Sequence, residues 1–103
     1  MRIISGKYGG LKVRGRAPAG VRPTADNVRE SIFNILENRL DFTGKKILDI
    51  CAGTGAMGFE ALSRGAESVV FIDKNKNSAA FIKNVGVSLK IPEEKYKIIT
   101  SDA

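Results

Sequence analysis

A glycine-rich turn between an apolar run and a helical run constrains the fold of this chain more than any other feature. The turn lies within Asp49-Ile-Cys-Ala-Gly-Thr-Gly-Ala-Met-Gly58, so Gly53, Gly55 and Gly58 satisfy the pattern G-x-G-x-x-G. The apolar run before it predicts a short strand over residues 46–50, and a helical stretch continues after it to about Arg64. Glycines at such a turn let the backbone approach a ligand closely. We therefore predict a nucleotide-binding turn; the alternative is a tight turn whose glycines serve packing alone.

The segments that follow alternate between strand and helix. Residues 69–72 form a continuous apolar run, which predicts a parallel strand covered on both faces. Apolar spacing predicts a helix over about 75–89, and residues 97–100 predict a third strand. The order β-α-β-α-β is half of a doubly wound sheet. An α/β, Rossmann-like fold is therefore expected.

The residues before the glycine turn predict a hairpin followed by a helix. Residues 2–5 and 11–14 are strand-like and are separated by glycines. A helix is predicted over about 24–40, capped by Thr24. Its predicted inward stripe is apolar: Val28, Ile32, Ile35, Leu36 and Leu40. Its predicted outward face is charged: Arg29, Glu30, Glu37 and Arg39. We expect a basic hairpin and loop at residues 1–23 and the α/β domain at residues 24–103.

The net charge of +6 is concentrated at the N-terminal end of the chain. The first 22 residues contain six cations and no acid: Arg2, Lys7, Lys12, Arg14, Arg16 and Arg22. Clustered cations suit the phosphates of a nucleic acid, although a solvated basic surface would look the same. A single cysteine and no histidine make a disulfide or a zinc site unexpected, and we predict no metal. No apolar run is long enough to span a bilayer and the N-terminus lacks a secretion signal, so no membrane partner and a cytoplasmic location are expected.

Carboxylates beside the turn indicate which nucleotide would bind. Asp73 follows the second strand, where an acidic side chain accepts both hydroxyls of a ribose. Asp49 would repel the pyrophosphate of a dinucleotide but suits S-adenosylmethionine, whose ammonium and sulfonium groups are cationic. The spacing D-x-x-x-G-x-G is typical of class I methyltransferases, and Asp102 is placed like the residue that meets the adenine amine in those enzymes. The predicted cofactor-binding residues are Asp49, Gly53, Thr54, Gly55, Asp73, Asp102 and Ala103.

Three longer stretches resemble the RsmD family, bacterial methyltransferases of the guanine N2 amine in 16S rRNA. They are Arg2-Ile-Ile-Ser-Gly-Lys-Tyr-Gly-Gly-Leu-Lys-Val13, Arg22-Pro-Thr-Ala-Asp-Asn-Val-Arg-Glu-Ser-Ile-Phe-Asn-Ile-Leu36 and Gly58-Phe-Glu-Ala-Leu-Ser-Arg-Gly-Ala66. The resemblance covers essentially the whole chain. It implies methyl transfer from S-adenosylmethionine to a guanine of 16S rRNA or of the small ribosomal subunit. It also implies that the six N-terminal cations contact RNA phosphates.

One part of the family pattern is missing. Family members continue into an Asn/Asp-Pro-Pro-Tyr/Phe motif that holds the target amine, and this sequence has no adjacent prolines. We therefore expect the cofactor-binding half of a class I methyltransferase, truncated after the third strand, with no catalytic residue of its own and little activity alone. Residues 46–50 would then be an edge strand that favours self-association. The alternatives are a non-catalytic RNA-binding module and, disfavoured by Asp49, a fragment of an NAD-dependent oxidoreductase.

Overall fold

Three parallel strands form the centre of the computed structural model, which describes residues 1–13, 18, 20–21, 25–50 and 52–102. The strands are β1 (Lys46–Ile50), β2 (Ser68–Asp73) and β3 (Tyr96–Thr100), in the spatial order β1-β2-β3. Asp49 lies opposite Phe71, and Phe71 lies opposite Ile98. β1 has the predicted bounds, whereas β2 and β3 are slightly longer than predicted.

Helices connect the strands as the sequence pattern predicts. α1 (Asp26–Glu37) precedes β1, α2 (Ala56–Ser63) joins β1 to β2, and α3 (Lys76–Ser88) leads through a short 3-10 helix, Glu93–Lys95, into β3. Asn75 caps α3, because its side chain accepts hydrogen bonds from the N–H groups of Asn77 and Ser78. The β-α-β-α-β order is therefore confirmed. None of the helices in these described ranges is long and apolar enough to cross a membrane.

The main core lies between the sheet and the helices α2 and α3. Phe59, Phe71 and Ile82 are fully buried there, and the rings of Phe59 and Phe71 are 4.8 Å apart. The other face of the sheet is open within the described residues: Leu48 and Ile50 are more than half exposed. On β2, Val69 and Phe71 are buried on the helix side, and Val70 and Ile72 on the other side are partly exposed. The second strand is therefore fully covered on one face only in this part of the chain.

The N-terminal hairpin is confirmed as a short antiparallel ladder. Arg2 and Lys12 form a bridge, and the N–H of Ile3 donates to the carbonyl of Leu11 at 3.0 Å. Ile3 and Val13 are buried in the main core, so the hairpin shares its interior with the sheet. The division at residue 23/24 stays a prediction.

The buried side of α1 differs from the predicted one. Arg29 and Phe33 are 1% and 3% exposed, whereas Val28, Ile32 and Ile35 lie outside the core and are 37–56% exposed. The predicted helix was also too long, because α1 begins after Ala25 and ends at Glu37. The predicted cap, Thr24, lies outside the described residues. The apolar stripe did not predict the buried side of α1, because Arg29 turns inward to acidic partners that are described below.

Candidate functional site

The glycine turn lies at the carboxyl end of β1, where two glycines adopt backbone conformations that other residues rarely take. The φ angles are +61° at Gly53 and +78° at Gly55, which immediately precedes α2. Gly58, in the first turn of α2, lies so close to the ring of Phe71 that a Cβ would overlap it. The first two glycines therefore shape the turn, and the third brings α2 close to the sheet, as expected for a nucleotide-binding turn.

Asp73 ties the end of β2 to the glycine turn. Its Oδ2 atom accepts a hydrogen bond from the N–H of Gly53, and its Oδ1 atom accepts one from the N–H of Asn75, both at 2.9 Å. The backbone carbonyl of Asp73 also accepts from the N–H of Ser101, just after β3. A carboxylate offers about four lone-pair positions. Asp73 is therefore fixed in place and retains acceptor capacity for hydroxyl groups.

Asp49 caps the N-terminal end of α2. Its Oδ2 atom accepts the N–H of Gly58 at 3.0 Å, since Gly55 has no side chain to cap the helix. The pKa of Asp49 is raised to about 6: burial raises it most, the charge of Asp73 also raises it, and the hydrogen bond from the N–H of Gly58 lowers it. The carboxyl is therefore mostly ionised at neutral pH.

An apolar groove lies beside Asp49. The groove has a volume of about 190 Å³ and runs beside β1; its lining includes Phe33, Leu36, Leu48 and Met57 as well as Asp49. A negative charge between an apolar wall and a helix N-terminus disfavours a diphosphate and favours a cationic ligand.

The structure gives fewer contacts for the remaining predicted cofactor residues. Thr54 is buried, and its hydroxyl accepts the N–H of Ala56 at 3.4 Å, within the turn itself. Asp102 is exposed and follows Ser101, so it lies beyond the same edge of the sheet as Asp73. Ala103 lies outside the described residues. Val21, from the loop before α1, approaches Gly53: a Cβ on that glycine would be 3.2 Å from the Val21 side chain.

The three predicted RNA-binding cations that the structure describes are not gathered at the glycine turn. Arg2 pairs with Asp26 at 3.2 Å. Lys12, which forms the bridge with Arg2 across the hairpin, is exposed. The ammonium group of Lys7 lies 5.7 Å from the ring centre of Tyr8. The N–H of Lys7 donates to the carbonyl of Ser63 at the last residue of α2, roughly 12 Å along that helix from its start. The other three predicted cations, Arg14, Arg16 and Arg22, lie outside the described residues.

Sequence reasoning missed a buried ionic network around Glu60. This side chain is fully buried in α2, and its two oxygens accept hydrogen bonds from the Nε atoms of Arg29 at 3.4 Å and Arg64 at 2.9 Å. Arg29 also pairs with Asp26 at 3.0 Å. The signal was present in the sequence: Glu60 is the only charged residue of the otherwise apolar or small stretch Ala56–Ser63. Within the described residues, no three metal-ligating side chains come together.

Comparison with known proteins places the chain in a family. The family described as Conserved hypothetical protein 95 matches residues 1–103. Ribosomal RNA small subunit methyltransferase D of Haemophilus influenzae is 37% identical over 103 residues, which are 100% of this chain and 52% of that protein. The Escherichia coli protein of the same name is 41% identical over 86 residues, which are 82% of this chain and 42% of that protein. The chain belongs to the RsmD family. The resemblance inferred from the sequence is thus confirmed, and the chain spans about half the length of these relatives.

Solved structures of similar proteins agree with this placement in the RsmD family. The structure of yhhF from Escherichia coli, named as a candidate methyltransferase, matches 100% of this chain and 54% of its own, with 35% identity and a TM-score of 0.83. A hypothetical protein of Thermus thermophilus matches 100% of this chain and 56% of its own, with 27% identity and the same TM-score. The Rossmann-like α/β fold of class I methyltransferases, with three strands in the part of the chain that the structure describes, is confirmed.

Proposed function

We propose that this RsmD-family chain binds S-adenosylmethionine and forms the cofactor-binding half of an enzyme that methylates the exocyclic N2 amine of a guanine in 16S rRNA. The observation that carries the proposal is the pair Asp49 and Asp73, which flank one glycine turn at the ends of adjacent strands. The names of the relatives support methylation of small-subunit ribosomal RNA. Action on ribosomal RNA would place the protein in the cytoplasm.

Each residue of the proposed cofactor site has a distinct task. Asp73, held by the N–H of Gly53, would accept the two ribose hydroxyls. Asp49 would stabilise the cationic methionyl end through its charge. Gly53 and Gly55 would let the backbone approach the ligand, and Thr54 would keep the turn in shape. Asp102 would lie toward the adenine, and Ala103 belongs to this proposal on the strength of the sequence alone.

The bound cofactor would supply the methyl group, and the chain's own residues would orient it. Alignment of reacting groups contributes much of an enzyme's rate. The family's proline-rich motif for holding the target amine has no counterpart in these 103 residues, so we assign no catalytic residue here. The chain alone should therefore bind the cofactor and show little or no turnover.

The cations of the hairpin would provide the contacts with RNA. Lys7 and Lys12 are exposed, and phosphate contacts position a nucleic acid without reading its sequence. The RNA partner would be 16S rRNA or the assembled small subunit. Arg14, Arg16 and Arg22 belong to this proposal on the strength of the sequence alone.

Calorimetric titration of the 103-residue chain tests the cofactor assignment. We expect S-adenosylmethionine to bind and NADH not to bind, because Asp49 disfavours a diphosphate. Binding of NADH without binding of S-adenosylmethionine would refute the proposal. RNA binding that survives Asp73→Ala in a chain with no affinity for S-adenosylmethionine would instead favour the non-catalytic RNA-binding module. Stoichiometric methylation of ribosomal subunits by the chain alone would show that these 103 residues include the catalytic residues, and it would refute our assignment of none here.

A further inference from the structure

The N-terminal segment, residues 4–8, donates hydrogen bonds to α2. In the hairpin, Ile3 bonds with the opposite arm: its N–H donates to Leu11, and its carbonyl accepts from Gly10 at 2.8 Å. The next two N–H groups donate to α2: Ile4 to Oε1 of Glu60 at 2.9 Å and Ser5 to Oε2 of Glu60 at 3.1 Å. One buried carboxylate therefore satisfies two consecutive backbone donors of the N-terminal segment.

The chemistry of this acceptor is specific. Besides the two backbone donors, each oxygen of Glu60 takes one guanidinium: Oε1 from Arg29 and Oε2 from Arg64. Four donors on two oxygens use the whole acceptor capacity of an ionised carboxyl. A glutamine would present its own N–H₂ group to one pair of these donors. Only an ionised acid of this length suits the position.

A second anchor lies one turn further along α2. The Ser63 hydroxyl accepts the N–H of Tyr8 at 2.9 Å and donates to the carbonyl of Ser5. The carbonyl of Ser63 accepts the N–H of Lys7 at 2.7 Å. Gly6 lies directly against that carbonyl, so that a Cβ on Gly6 would overlap it. The N-terminal segment is therefore held at two points on one face of α2.

Stability alone is a weak explanation for such a network. Replacing a buried ionic cluster by well-packed apolar residues is often neutral or stabilising, whereas polar networks can select one arrangement among several. Here the arrangement that the network would select is the placement of the N-terminal segment relative to the glycine turn, which lies at the opposite end of the short helix α2. α2 starts at the glycine turn and ends at the anchors for Lys7 and Tyr8, a distance of roughly 12 Å.

We infer that Glu60 is a positioning residue: with Ser63, it fixes the N-terminal segment, which carries Lys7, on α2 and so sets the distance between the cations of the hairpin and the cofactor turn. This inference rests on the proposed function for the RNA role of the segment. The docking of the N-terminal segment on α2 follows from the contacts described above and does not depend on the proposed function. Glu60 touches neither the proposed cofactor site nor the exposed surface, so it acts through the segment it holds.

Two alanine variants of the full 103-residue chain separate docking from backbone strain. Gly6 and Gly10 have nearly equal φ angles, +86° and +83°, so alanine strains the backbone similarly at both. Only at Gly6 does the added Cβ meet Ser63; at Gly10 no described atom lies within 4 Å of it. Gly6→Ala therefore breaks the docking without leaving a charge unpaired, and Gly10→Ala is the matched control.

Three measurements are compared: amide exchange at Ile4 and Ser5, affinity for 16S rRNA transcribed in vitro, and affinity for S-adenosylmethionine. We expect Gly6→Ala to exchange these amides about tenfold faster and to bind the RNA about tenfold more weakly than Gly10→Ala, as loss of one or two hydrogen bonds implies. Cofactor affinity should be equal in the two variants. Such a split between RNA and cofactor would not arise from a general loss of folding.

Two results would overturn the inference: slow exchange at Ile4 in Gly6→Ala, or equal RNA affinity in the two variants despite fast exchange. If Gly6→Ala does not fold, Ser63→Ala replaces it, since that change removes only the hydroxyl anchor of Tyr8 and Ser5. It should likewise weaken RNA binding and spare cofactor binding, and equal RNA affinity to the parent would refute the inference. A parent chain that binds no RNA would refute the proposed function, while the exchange rates would still decide whether the segment is docked.

Discussion

At Asp49, a single carboxyl both caps a helix and carries a charge that its partly buried surroundings disfavour. Its pKa in the folded chain, about 6, lies above the ordinary value of 3.8. The folded state therefore holds this proton more tightly than the unfolded state does. Ionisation of Asp49 costs stability, and the cost develops as the pH rises from about 4 to about 6 and is complete above that range.

The variant Asp49→Asn tests whether the charge of Asp49 lowers stability while it strengthens cofactor binding. An asparagine oxygen can still accept the N–H of Gly58, but it carries no charge. We expect a higher melting temperature than the parent at about pH 7.5 and no such gain near pH 4. Affinity for S-adenosylmethionine at about pH 7.5 should fall roughly tenfold, because the attraction to the ammonium group is lost. Thermal unfolding and calorimetry measure the two effects, and an asparagine variant less stable than the parent at the higher pH would contradict the reasoning.

Asp73 can be tested against a second aspartate with similar local geometry. Asp73 accepts the N–H of Asn75, and Asp41 accepts the N–H of Thr43, each two residues on and at 2.9 Å. Only Asp73 also holds Gly53. We expect Asp73→Ala to weaken S-adenosylmethionine binding by at least about tenfold, since hydrogen bonds to a charged group are lost. Asp41→Ala should leave the affinity unchanged; equal losses in both variants would show that the effect comes from general destabilisation.

The sequence was informative at residues whose position follows from a strand end. Asp49 and Asp73 could be assigned to one edge because parallel strands bring their carboxyl ends together. Their hydrogen bonds to Gly58 and Gly53 were not predictable, since these depend on how the turn folds back. The pairing of Glu60 with Arg29 was missed for a similar reason: it joins residues 31 positions apart through tertiary packing.

At the scale of elements, the contact between α2 and the sheet depends on the absence of a side chain at Gly58. Alanine there gains up to about 1 kcal/mol of helix propensity, but overlap with Phe71 in a packed core costs roughly 1–3 kcal/mol. We expect Gly58→Ala to lower the free energy of unfolding by about 1–2 kcal/mol, measured by urea denaturation. The cost should shrink in a Phe71→Leu background, where the ring is gone. An unchanged cost in that background would argue against the steric explanation.

The element that sequence analysis described least well is α1. Its periodicity predicted a helix correctly, because length and spacing depend on local propensity. Its orientation was set by partners elsewhere: Arg29 turns inward to Glu60, and Phe33 packs against Phe42. Three apolar residues, Val28, Ile32 and Ile35, remain exposed as a result.

β1 is expected to drive self-association of this chain. Among the described strands it pairs only with β2, and Leu48 is 57% exposed on the open face of the sheet. An apolar edge strand with unpaired backbone groups favours pairing with another chain. We expect oligomers at micromolar concentration by light scattering, and fewer of them for Leu48→Lys.

Val87 provides the matched control for this prediction. It is 61% exposed, apolar like Leu48, and lies on α3 away from the edge strand. Val87→Lys adds the same charge and should leave the association unchanged. A monodisperse monomer for the parent chain, or equal effects of the two lysines, would count against association through β1.

At the scale of the whole molecule, the charge is unevenly distributed: residues 1–46 carry all of the net +6. Binding of such a surface to RNA should weaken as salt rises, with a slope set by the number of phosphates that the protein neutralises. Lys7→Ala should reduce that slope by about 0.7, because one phosphate is no longer neutralised. Arg2→Ala should reduce it less, because Arg2 already pairs with Asp26. Titrations of RNA at several salt concentrations measure the slopes, with Lys83→Ala on α3 as a control; an effect of Lys83 as large as that of Lys7 would remove the special role of the hairpin.

The open face of the sheet also affects how the chain responds to temperature. A positive heat-capacity change accompanies the exposure of apolar surface on unfolding. Leu48 and Ile50 already meet water in the folded chain, so they add less to that change than interior residues would. The heat-capacity change on unfolding should therefore be somewhat smaller than it would be with this face of the sheet covered, and the stability curve correspondingly flatter.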